Sequence, residues 1–404
     1  MRIMLAYLES FVDMSGGIER VCCNMANEFC ARGNDVAIVY CGQCDKQPFY
    51  PLDEHVQLYN LMNLQPSKWK GRSFQQCVSG GNKLIREVIR MFNANKARDW
   101  NEKVKGMMIV SDIERAVSDL KPDIIVSFRY ETSNYLINYA HVDKPVVTMF
   151  HTDPAVILPV SPKGEIAAVQ KSTEVQVLLK KDVAIVEKYC PGAKVCWIPN
   201  GVPQYEKQVD LKNKKSGKYT IINVARLDKW PKRQYLIVEA FAEIAKQFPE
   251  WQVELWGGGH GKKREYEKEL HSLICKYHLE NQVFLKGESR CIIEHYLSSD
   301  IFCFPSAYEG FPLAMTEAMS AGLPVVAYKS CDAVSELVED GKDGLLAEDG
   351  VLPLATALQK LMSNQAMRIE MGINARRKMI QFSPSKIWDQ WEELMRRTVR
   401  EYHE

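Results

Sequence analysis

The sequence predicts an α/β protein with two domains, each built on a doubly wound parallel sheet. Short apolar runs of strand length alternate along the chain with stretches in which apolar residues recur at helical spacing. A polar stretch from 204 to 218 has no apolar period and separates two such alternating halves. The chain has 404 residues, which is too many for one compact core. These three observations favour two domains.

The N-terminal half begins with a strand, a loop, a helix and a second strand. Arg2–Tyr7 is an apolar run, a loop follows from 9 to 17, and apolar residues recur at helical spacing from 18 to 29. Gly33 is expected to end this helix, because glycine is common just after helix ends. Asp35–Tyr40 is the next apolar run. Further strands are predicted at 123–128, 145–150, 174–178 and 194–198.

The C-terminal half repeats the alternation. Strands are predicted at 219–225, 251–256, 283–285, 301–304 and 324–328, and helices at about 232–248, 262–278 and 312–321. The end of the chain has a helical pattern, and an amphipathic helix is predicted at 387–395. Its two tryptophans, Trp388 and Trp391, are expected in the core.

Composition excludes several classes of protein. Lys and Arg total 52 and Asp and Glu total 51, so a protein that binds nucleic acid over its whole surface is not expected. No uncharged apolar stretch approaches the ~18 residues that cross a bilayer, and the first apolar run is too short for a signal sequence. The 12 cysteines are scattered, which favours a reducing compartment. We therefore expect a cytoplasmic protein.

The densest chemical pattern lies between 306 and 326. A predicted strand ends at Pro305, a glycine-containing loop carries Glu309, and a helix is predicted to begin near Pro312. Backbone N–H groups at a helix start bind anions. Glu317 follows inside the helix, so one carboxylate is available to sugar hydroxyls and the other to a ribose diol.

Two cations are expected at the same edge of the predicted sheet. Arg226 follows the strand at 219–225, and Lys232 begins the next helix. Ligands of α/β sheets bind at the carboxyl ends of strands, where these cations would neutralise a diphosphate.

Four motifs together carry a family resemblance. They are Glu309-x7-Glu317, Arg226-Leu-x4-Lys232, Gly16-Gly17-Ile-Glu19 and Ile198-Pro-Asn-Gly-Val-Pro203. With these motifs in the family's order along two Rossmann-like halves, the chain resembles the family 4 retaining glycosyltransferases of the GT-B fold. The resemblance extends from Met1 to about Tyr402. The resemblance implies two Rossmann-like domains that face a central cleft, with the C-terminal helix crossing back. Residues 1–203, completed by 384–404, would bind the acceptor, and 204–383 would bind the nucleotide-sugar donor.

The resemblance also implies residue roles. Glu317 would bind the ribose, Glu309 the hydroxyls of the transferred sugar, and Arg226 and Lys232 the diphosphate leaving group. His151 would lie beside the reacting sugar, although a histidine after a buried strand is also typical of a core. The anion site would be completed by the amides of Gly310, Phe311, Leu313 and the Gly16-Gly17 loop, although that glycine pair also suits a tight turn. The nucleobase would lie near Ser289.

One spacing departs from the family pattern. Its Arg and Lys are usually five positions apart, whereas Arg226 and Lys232 are six apart, so Lys229 or Arg233 is an alternative phosphate-binding cation. The chain contains no Asp-x-Asp pair, so we expect the cations and the helix dipole to stabilise the leaving group without a metal or another cofactor. Retention implies attack by the acceptor hydroxyl on the face from which the phosphate departs.

The segment 68–105 concentrates positive charge. It contains ten Lys or Arg residues and three acids. Leu84, Val88 and Phe92 fall on one helical face while Lys83, Arg86 and Arg90 fall on another, a pattern that suits an anionic membrane surface. A helix that packs its apolar side inward is the alternative.

The resemblance, together with the cations named above, therefore implies a metal-independent retaining hexosyltransferase. Its donor would be a nucleotide diphosphate sugar, with UDP as the expected nucleotide, and its acceptor a glycan, lipid-linked, in surface polysaccharide biosynthesis at the inner face of the cell membrane. The alternatives are a GT-B sugar-nucleotide epimerase and a catalytically silent sugar-nucleotide binding protein.

Overall fold

The computed structural model contains two compact units. Met1–Pro199 and Ile387–Glu404 form unit 1, and Asn200–Lys386 forms unit 2. The structure describes residues 1–12, 14, 16–42, 47–64, 80–213, 217–258 and 263–404. Each unit has a parallel sheet with helices, which confirms the predicted α/β class.

Unit 1 contains a seven-stranded sheet in the order β3-β2-β1-β4-β5-β6-β7, with every neighbouring pair parallel. Most of these strands are apolar and buried on both faces, as expected for a sheet covered by helices on both sides. The strands are β1 (Arg2–Tyr7), β2 (Asp35–Tyr40), β3 (Gln57–Asn60), β4 (Ile124–Ser127), β5 (Val146–Met149), β6 (Glu174–Val177) and β7 (Val195–Trp197).

The helices of unit 1 connect these strands. They are α1 (Gly17–Ala31), α2 (Gly80–Phe92), α3 (Ala94–Leu120), α4 (Tyr130–Asn134), α5 (Pro154–Ile157), α6 (Lys163–Lys171) and α7 (Lys180–Tyr189). Gly33 ends the first helix with φ +80°, a conformation that favours glycine, and thereby lets β2 begin two residues later.

Unit 2 contains a six-stranded parallel sheet in the order β10-β9-β8-β11-β12-β13. The strands are β8 (Tyr219–Val224), β9 (Trp251–Trp256), β10 (Val283–Gly287), β11 (Ile301–Phe304), β12 (Val325–Tyr328) and β13 (Gly344–Ala347). The helices are α8 (Tyr235–Ile244), α9 (Lys263–Lys276), α10 (Ile292–Ser298), α11 (Leu313–Ala321), α12 (Asp332–Leu337), α13 (Val351–Met362) and α14 (Gln365–Met379).

The last helix, α15 (Pro384–His403), contributes most of its length to unit 1. Trp388 and Trp391 are buried, and the Trp388 ring packs edge-on against Phe29 with centroids 6.0 Å apart. Arg32, which directly follows α1, forms ion pairs with Asp389 at 2.8 Å and with Glu392 at 2.7 Å. The predicted return of the C-terminal helix to the N-terminal domain is thus confirmed.

Both sheets reverse their strand order once. The reversal falls between β1 and β4 in unit 1 and between β8 and β11 in unit 2. At such a reversal the connections leave the strand ends in opposite directions, which opens a crevice for a ligand. Among the described residues, no helix is long and apolar enough to cross a membrane.

Candidate active site

The residues that the sequence assigns to the donor follow the two strands at the reversal of the unit 2 sheet. Arg226 lies two residues beyond β8, and Glu309 lies in the loop between β11 and α11. Because β8 and β11 are parallel neighbours, these loops leave the same edge of the sheet at adjacent positions.

The Arg226 side chain is exposed, and its backbone is fixed by a hydrogen bond. Its carbonyl oxygen accepts a hydrogen bond of 2.8 Å from the side chain of Gln234, which is fully buried. Within the described part of the chain its guanidinium has no ion-pair or hydrogen-bond partner. A planar cation is thus available to an anionic ligand without breaking an existing contact.

Lys232 and Glu309 form an ion pair in which the Lys232 Nζ donates to the Glu309 carboxylate. Their side chains are 16% and 13% exposed, so the pair is largely shielded from water. The Lys232 ammonium also lies 5.9 Å from the centroid of the Phe304 ring, at the end of β11. The residues assigned to the diphosphate and to the sugar hydroxyls are therefore in direct contact.

The other two candidate cations have different partners. Lys229 is exposed and pairs with Glu269 at 2.6 Å. Arg233 is 9% exposed, and its Nε donates to the Pro305 carbonyl at 2.7 Å. Because Lys229 turns to a surface acid and Arg233 supports the end of β11, Lys232 is the member of this trio that lies beside Glu309.

The loop before α11 presents fewer amides than the sequence predicts. Pro312 has φ −77° and ψ 76°, and the Leu313 N–H donates to the Phe311 carbonyl at 2.9 Å, which forms an inverse γ-turn. The Leu313 amide is thus already hydrogen-bonded, contrary to the expectation that it faces an anion. The N–H groups of Gly310 and Phe311 have no backbone acceptor among the described residues.

Glu317 lies on the second turn of α11 and is only 4% exposed. Every residue of this helix from Met315 to Ala321 is buried. Phe311, which precedes the helix, is also buried and packs edge-on against Phe382. Glu317 and Glu309 thus flank the start of α11, one inside the helix and one before it.

Ser289 follows β10 and belongs to a small cluster that the sequence did not reveal. Its Oγ lies 3.0 Å from the Nε2 of His295, and the His295 ring stacks on Trp256 with centroids 3.7 Å apart. Lys286 lies 5.5 Å from the Trp256 ring centroid. Trp256 ends a predicted strand, but nothing in the sequence pattern indicates that His295 would lie against it.

His151 follows β5 in unit 1 and is uncharged at neutral pH. Burial, and then the positive charge of Arg129, lower the pKa of His151 to about 3. The ring stacks on Phe128 with centroids 5.4 Å apart, and its buried Nε2 has no hydrogen-bond partner within the described residues. A neutral imidazole with an unused nitrogen can hydrogen-bond a ligand, but it supplies no positive charge.

Gly16 precedes α1, Gly17 is its first residue, and the two glycines differ in their surroundings. A Cβ atom at Gly16 would lie 2.3 Å from the Oε2 of Glu19, whereas Gly17 is exposed. Glu19 is 5% exposed and accepts a hydrogen bond of 2.6 Å from the Tyr7 hydroxyl. A Cβ atom at position 16 would thus force the Glu19 carboxylate to move from its place beside the helix start.

One group of metal-ligand residue types lies elsewhere in unit 1. Among the described residues, ligand atoms of Cys30, Asp53 and His55 lie within 4.8 Å of one another. Burial and the neighbouring Asp53 raise the pKa of the Cys30 thiol, which disfavours the thiolate that binds metals. Asp53 instead accepts a hydrogen bond of 2.8 Å from the His55 ring.

Comparisons with known proteins identify similar chains and folds. Residues 204–378 match the family of glycosyl transferases group 1. An uncharacterized glycosyltransferase of Haemophilus influenzae is 25% identical over 389 residues, which cover 95% of this chain and 97% of that protein. A UDP-Gal:α-D-GlcNAc-diphosphoundecaprenol α-1,3-galactosyltransferase of Escherichia coli is 30% identical over 220 residues. That match covers 50% of this chain and 53% of the relative, so it spans about half of each.

A solved structure has the same fold over its whole length. TarM from S. aureus, in complex with fondaparinux, α-GlcNAc-glycerol and UDP, is 18% identical with a TM-score of 0.73. The match covers 98% of this chain and 100% of that one. The fold is therefore GT-B, and the family match and the relatives together support a glycosyltransferase that acts in glycan biosynthesis.

Proposed function

We propose that this chain is a retaining hexosyltransferase that uses a UDP-sugar as donor and extends a lipid-linked glycan of a surface polysaccharide. The observation that carries the proposal is the Lys232–Glu309 pair, which joins a cation for the diphosphate to a carboxylate for the sugar. The pair lies in the unit that matches the group 1 family. The UDP named with TarM and the lipid diphosphate acceptor named for the Escherichia coli relative support the substrate classes.

The departing UDP must have its negative charge stabilised. Arg226 binds the diphosphate through its guanidinium, and Lys232 turns from Glu309 to a phosphate oxygen. The unpaired amides of Gly310 and Phe311 and the positive end of α11 add to this stabilisation. Glu309, released from Lys232, then accepts a hydrogen bond from a sugar hydroxyl.

Retention follows when the acceptor attacks on the face from which UDP departs. The bond from the anomeric carbon to the phosphate oxygen breaks while the bond to the acceptor oxygen forms, and the acceptor's proton passes to the departing phosphate. His151 contributes a neutral hydrogen bond to the sugar, because its low pKa keeps the ring uncharged. Glu317 holds the ribose hydroxyls.

The reaction proceeds without a metal ion in this proposal. Two protein cations and a helix start supply the positive charge that a metal would otherwise supply. Activity that is lost in EDTA and restored by a divalent ion would refute this part of the proposal and leave the donor assignment intact.

The test uses the full chain, a panel of UDP-sugars and chromatographic detection of released UDP. Lys232→Ala is expected to lower kcat about 10²- to 10³-fold, because one preorganised charge is lost from the transition state. Lys229→Ala is the matched control, since it removes a lysine three positions away that pairs with an exposed glutamate. An equal loss in both variants would contradict the assignment of Lys232. An isomerised sugar would indicate the epimerase, and binding without turnover the silent protein.

We also propose that α2 attaches unit 1 to an anionic membrane surface. Its apolar side chains are not packed inward: Leu84 is 70% exposed, Met91 83% and Phe92 86%. The helix also carries Lys83, Arg86 and Arg90, which complement anionic head groups. The start of the predicted basic segment, 68–79 with Trp69 and Phe74, lies outside the described residues.

Vesicle sedimentation tests this attachment. Met91→Ser with Phe92→Ser is expected to reduce pelleting with phosphatidylglycerol vesicles at least tenfold, because about 2–3 kcal/mol of apolar burial is lost for each side chain. Leu352→Ser with Ile373→Ser removes two exposed apolar side chains from unit 2 and serves as control. Equal pelleting of the two double variants would overturn the membrane assignment.

A further inference from the structure

A cavity of about 700 Å³ lies at the reversal of the unit 1 sheet. Leu8 and Glu9, just beyond β1, line it together with Arg129 and Glu131, just beyond β4. Residues of α2, α3 and α6 form its other walls. Its position at the carboxyl ends of two neighbouring strands is that of a ligand site in an open α/β sheet.

The floor of this cavity is rich in carboxylates. Arg129 bridges two of them, with ion pairs to Glu9 at 2.8 Å and to Glu131 at 3.2 Å. Lys105 pairs with Glu102 at 3.1 Å, and both side chains are largely buried. These oxygens retain lone pairs for further donors, which the hydroxyls of a sugar or polyol supply.

Glu165 is the additional acid of the floor. The residue is 4% exposed and lines the cavity, yet it forms no hydrogen bond or ion pair with a side chain that the structure describes. Burial, and then the charges of Glu131 and Glu102, raise the pKa of Glu165 to about 8. A carboxyl group that lines the cavity in this way can exchange a hydrogen bond with a ligand hydroxyl.

The rim of the cavity is cationic. Arg86 and Arg90 of α2 and Arg98 of α3 all line it. Arg98 is anchored by a hydrogen bond of 2.8 Å to the Val160 carbonyl. Glu87 pairs with Arg86 at 2.6 Å and with Arg90 at 3.7 Å, so this side of the cavity has three cations and one nearby acid.

Helix α2 turns its charged side toward the cavity and its apolar side outward, the reverse of an ordinary amphipathic helix. Its arginines line the cavity, whereas Leu84, Met91 and Phe92 do not line it and are exposed. A helix usually turns its apolar stripe toward the protein. The opposite arrangement is favourable when the enclosed side meets an anion and the outer side meets an apolar phase.

We propose that this cavity is the acceptor site and takes a phosphate ester of a polyhydroxylated head group. The phosphate lies against Arg86 and Arg90, and the hydroxyls lie against Glu131 and Glu165. This assignment rests on the proposed transferase function and specifies the substrate class of its acceptor. The head group comes from a membrane lipid or from a soluble sugar phosphate, which share this chemistry.

Calorimetry with the full chain tests the site, with glucose 1-phosphate as the soluble probe. Arg86→Ala with Arg90→Ala is expected to weaken its binding at least tenfold. The matched control is Lys96→Ala with Lys103→Ala, which removes the same charge from exposed positions of α3 that do not line the cavity. Equal weakening by both pairs would show a general charge effect and overturn the proposal.

The floor is tested separately. Glu165→Ala is expected to weaken glucose 1-phosphate binding about tenfold, whereas Glu165→Gln retains a donor and is expected to bind within about threefold of the unaltered chain. Equal affinity for glucose would overturn the phosphate assignment. Equal affinity for inorganic phosphate, with no effect of Glu165→Ala, would mean a simple anion site and also overturn the proposal.

The source of the head group is decided with vesicles. Phosphatidylinositol in phosphatidylcholine vesicles presents an inositol phosphate on a lipid, and binding that depends on Arg86 and Arg90 would support a lipid source. Binding of glucose 1-phosphate alone would support a soluble source, and binding of neither would overturn the proposal. Donor hydrolysis by the unaltered chain is measured independently, so failure of the transferase proposal is distinguishable from failure of the acceptor site.

Discussion

Replacing Glu165 by glutamine should make unit 1 more stable at alkaline pH. In the folded chain the carboxyl keeps its proton up to about pH 8, because it is buried beside Glu131 and Glu102, whereas its ordinary pKa is 4.5. Between these values the folded state holds a proton that the unfolded state has lost, so the free energy of unfolding falls as pH rises. Glutamine, which does not ionise, removes this dependence.

The magnitude follows from the two pKa values. Each pH unit between them corresponds to about 1.4 kcal/mol, so the destabilisation from Glu165 is about 2 kcal/mol at pH 6 and between 4 and 5 kcal/mol at pH 9. The difference in unfolding free energy between Glu165→Gln and the unaltered chain should therefore grow by roughly 2–3 kcal/mol from pH 6 to pH 9. Titrating groups that do not interact with Glu165 contribute equally to both chains and cancel.

Amide hydrogen exchange measures this effect where it occurs. Peptides containing β4 and β5 report the opening of unit 1, and a peptide containing β9 reports that of unit 2. The variant should gain protection at pH 9 in the first two peptides and not in the third. Glu187→Gln, at an exposed position of α7, is the control and should behave like the unaltered chain. Parallel pH profiles for Glu165→Gln and the unaltered chain would refute the buried, protonated carboxyl.

Three further outcomes are expected. Gly257→Ala should lower the free energy of unfolding of unit 2 by more than about 2 kcal/mol in urea titrations. The reason is that φ is +139° and the Cβ would lie 1.9 Å from a backbone oxygen just beyond β8. Equal urea midpoints for the variant and the unaltered chain would contradict this. Gly16→Ala should destabilise unit 1, because its Cβ would displace the Glu19 carboxylate, which accepts a hydrogen bond from Tyr7. Gly17→Ala, at an exposed position, should destabilise it less, and the reverse order would refute the contact between position 16 and Glu19. The profile of kcat against pH should have no limb from His151 between pH 5 and 8, so a limb that disappears in His151→Asn would contradict its low pKa.

Many of the helices and strands were predictable from the spacing of apolar residues along the chain. The predicted strands at Arg2–Tyr7, Asp35–Tyr40 and Trp251–Trp256 have the observed bounds, because continuous apolar runs bounded by turns are typical of buried parallel strands. The short strands β3 and β13 were missed. Gln57–Asn60 pairs on one side only, at the edge of its sheet, and it is mostly polar or half-buried, so its pattern resembles a loop.

The candidate site residues came from the family resemblance, but their pairings could not be predicted from the sequence. The resemblance pointed to Glu309 and a nearby lysine, but it left three cations open, since Lys229, Lys232 and Arg233 all follow β8 closely. Their partners distinguish them, and those partners come from distant parts of the chain: Glu269 for Lys229 and the Pro305 carbonyl for Arg233. Such separations in sequence leave no local signal.

The burial of Glu165 could have been predicted from the helical spacing of its apolar neighbours. It falls on the stripe formed with Ala168 and Val169 at the i, i+3 and i+4 positions of α6, and both of those residues are buried. An acid at an apolar position of a short helix predicts either a paired charge or a ligand group. The sequence cannot distinguish these, because the neighbouring Glu131 and Glu102 come from other helices.

The two sheets carry side chains of different charge at the points where their strand order reverses. At the reversal of unit 2 the exposed guanidinium of Arg226 is available, and Glu309 is neutralised by Lys232, so the site favours an anion that gains negative charge. At the reversal of unit 1 the floor has more carboxyl groups than cations, so it favours hydroxyl donors. A leaving group that becomes more anionic and an acceptor that presents hydroxyls are the two reactants of a glycosyl transfer. The charges of the two sites therefore agree with the glycosyl transfer that the family match supports.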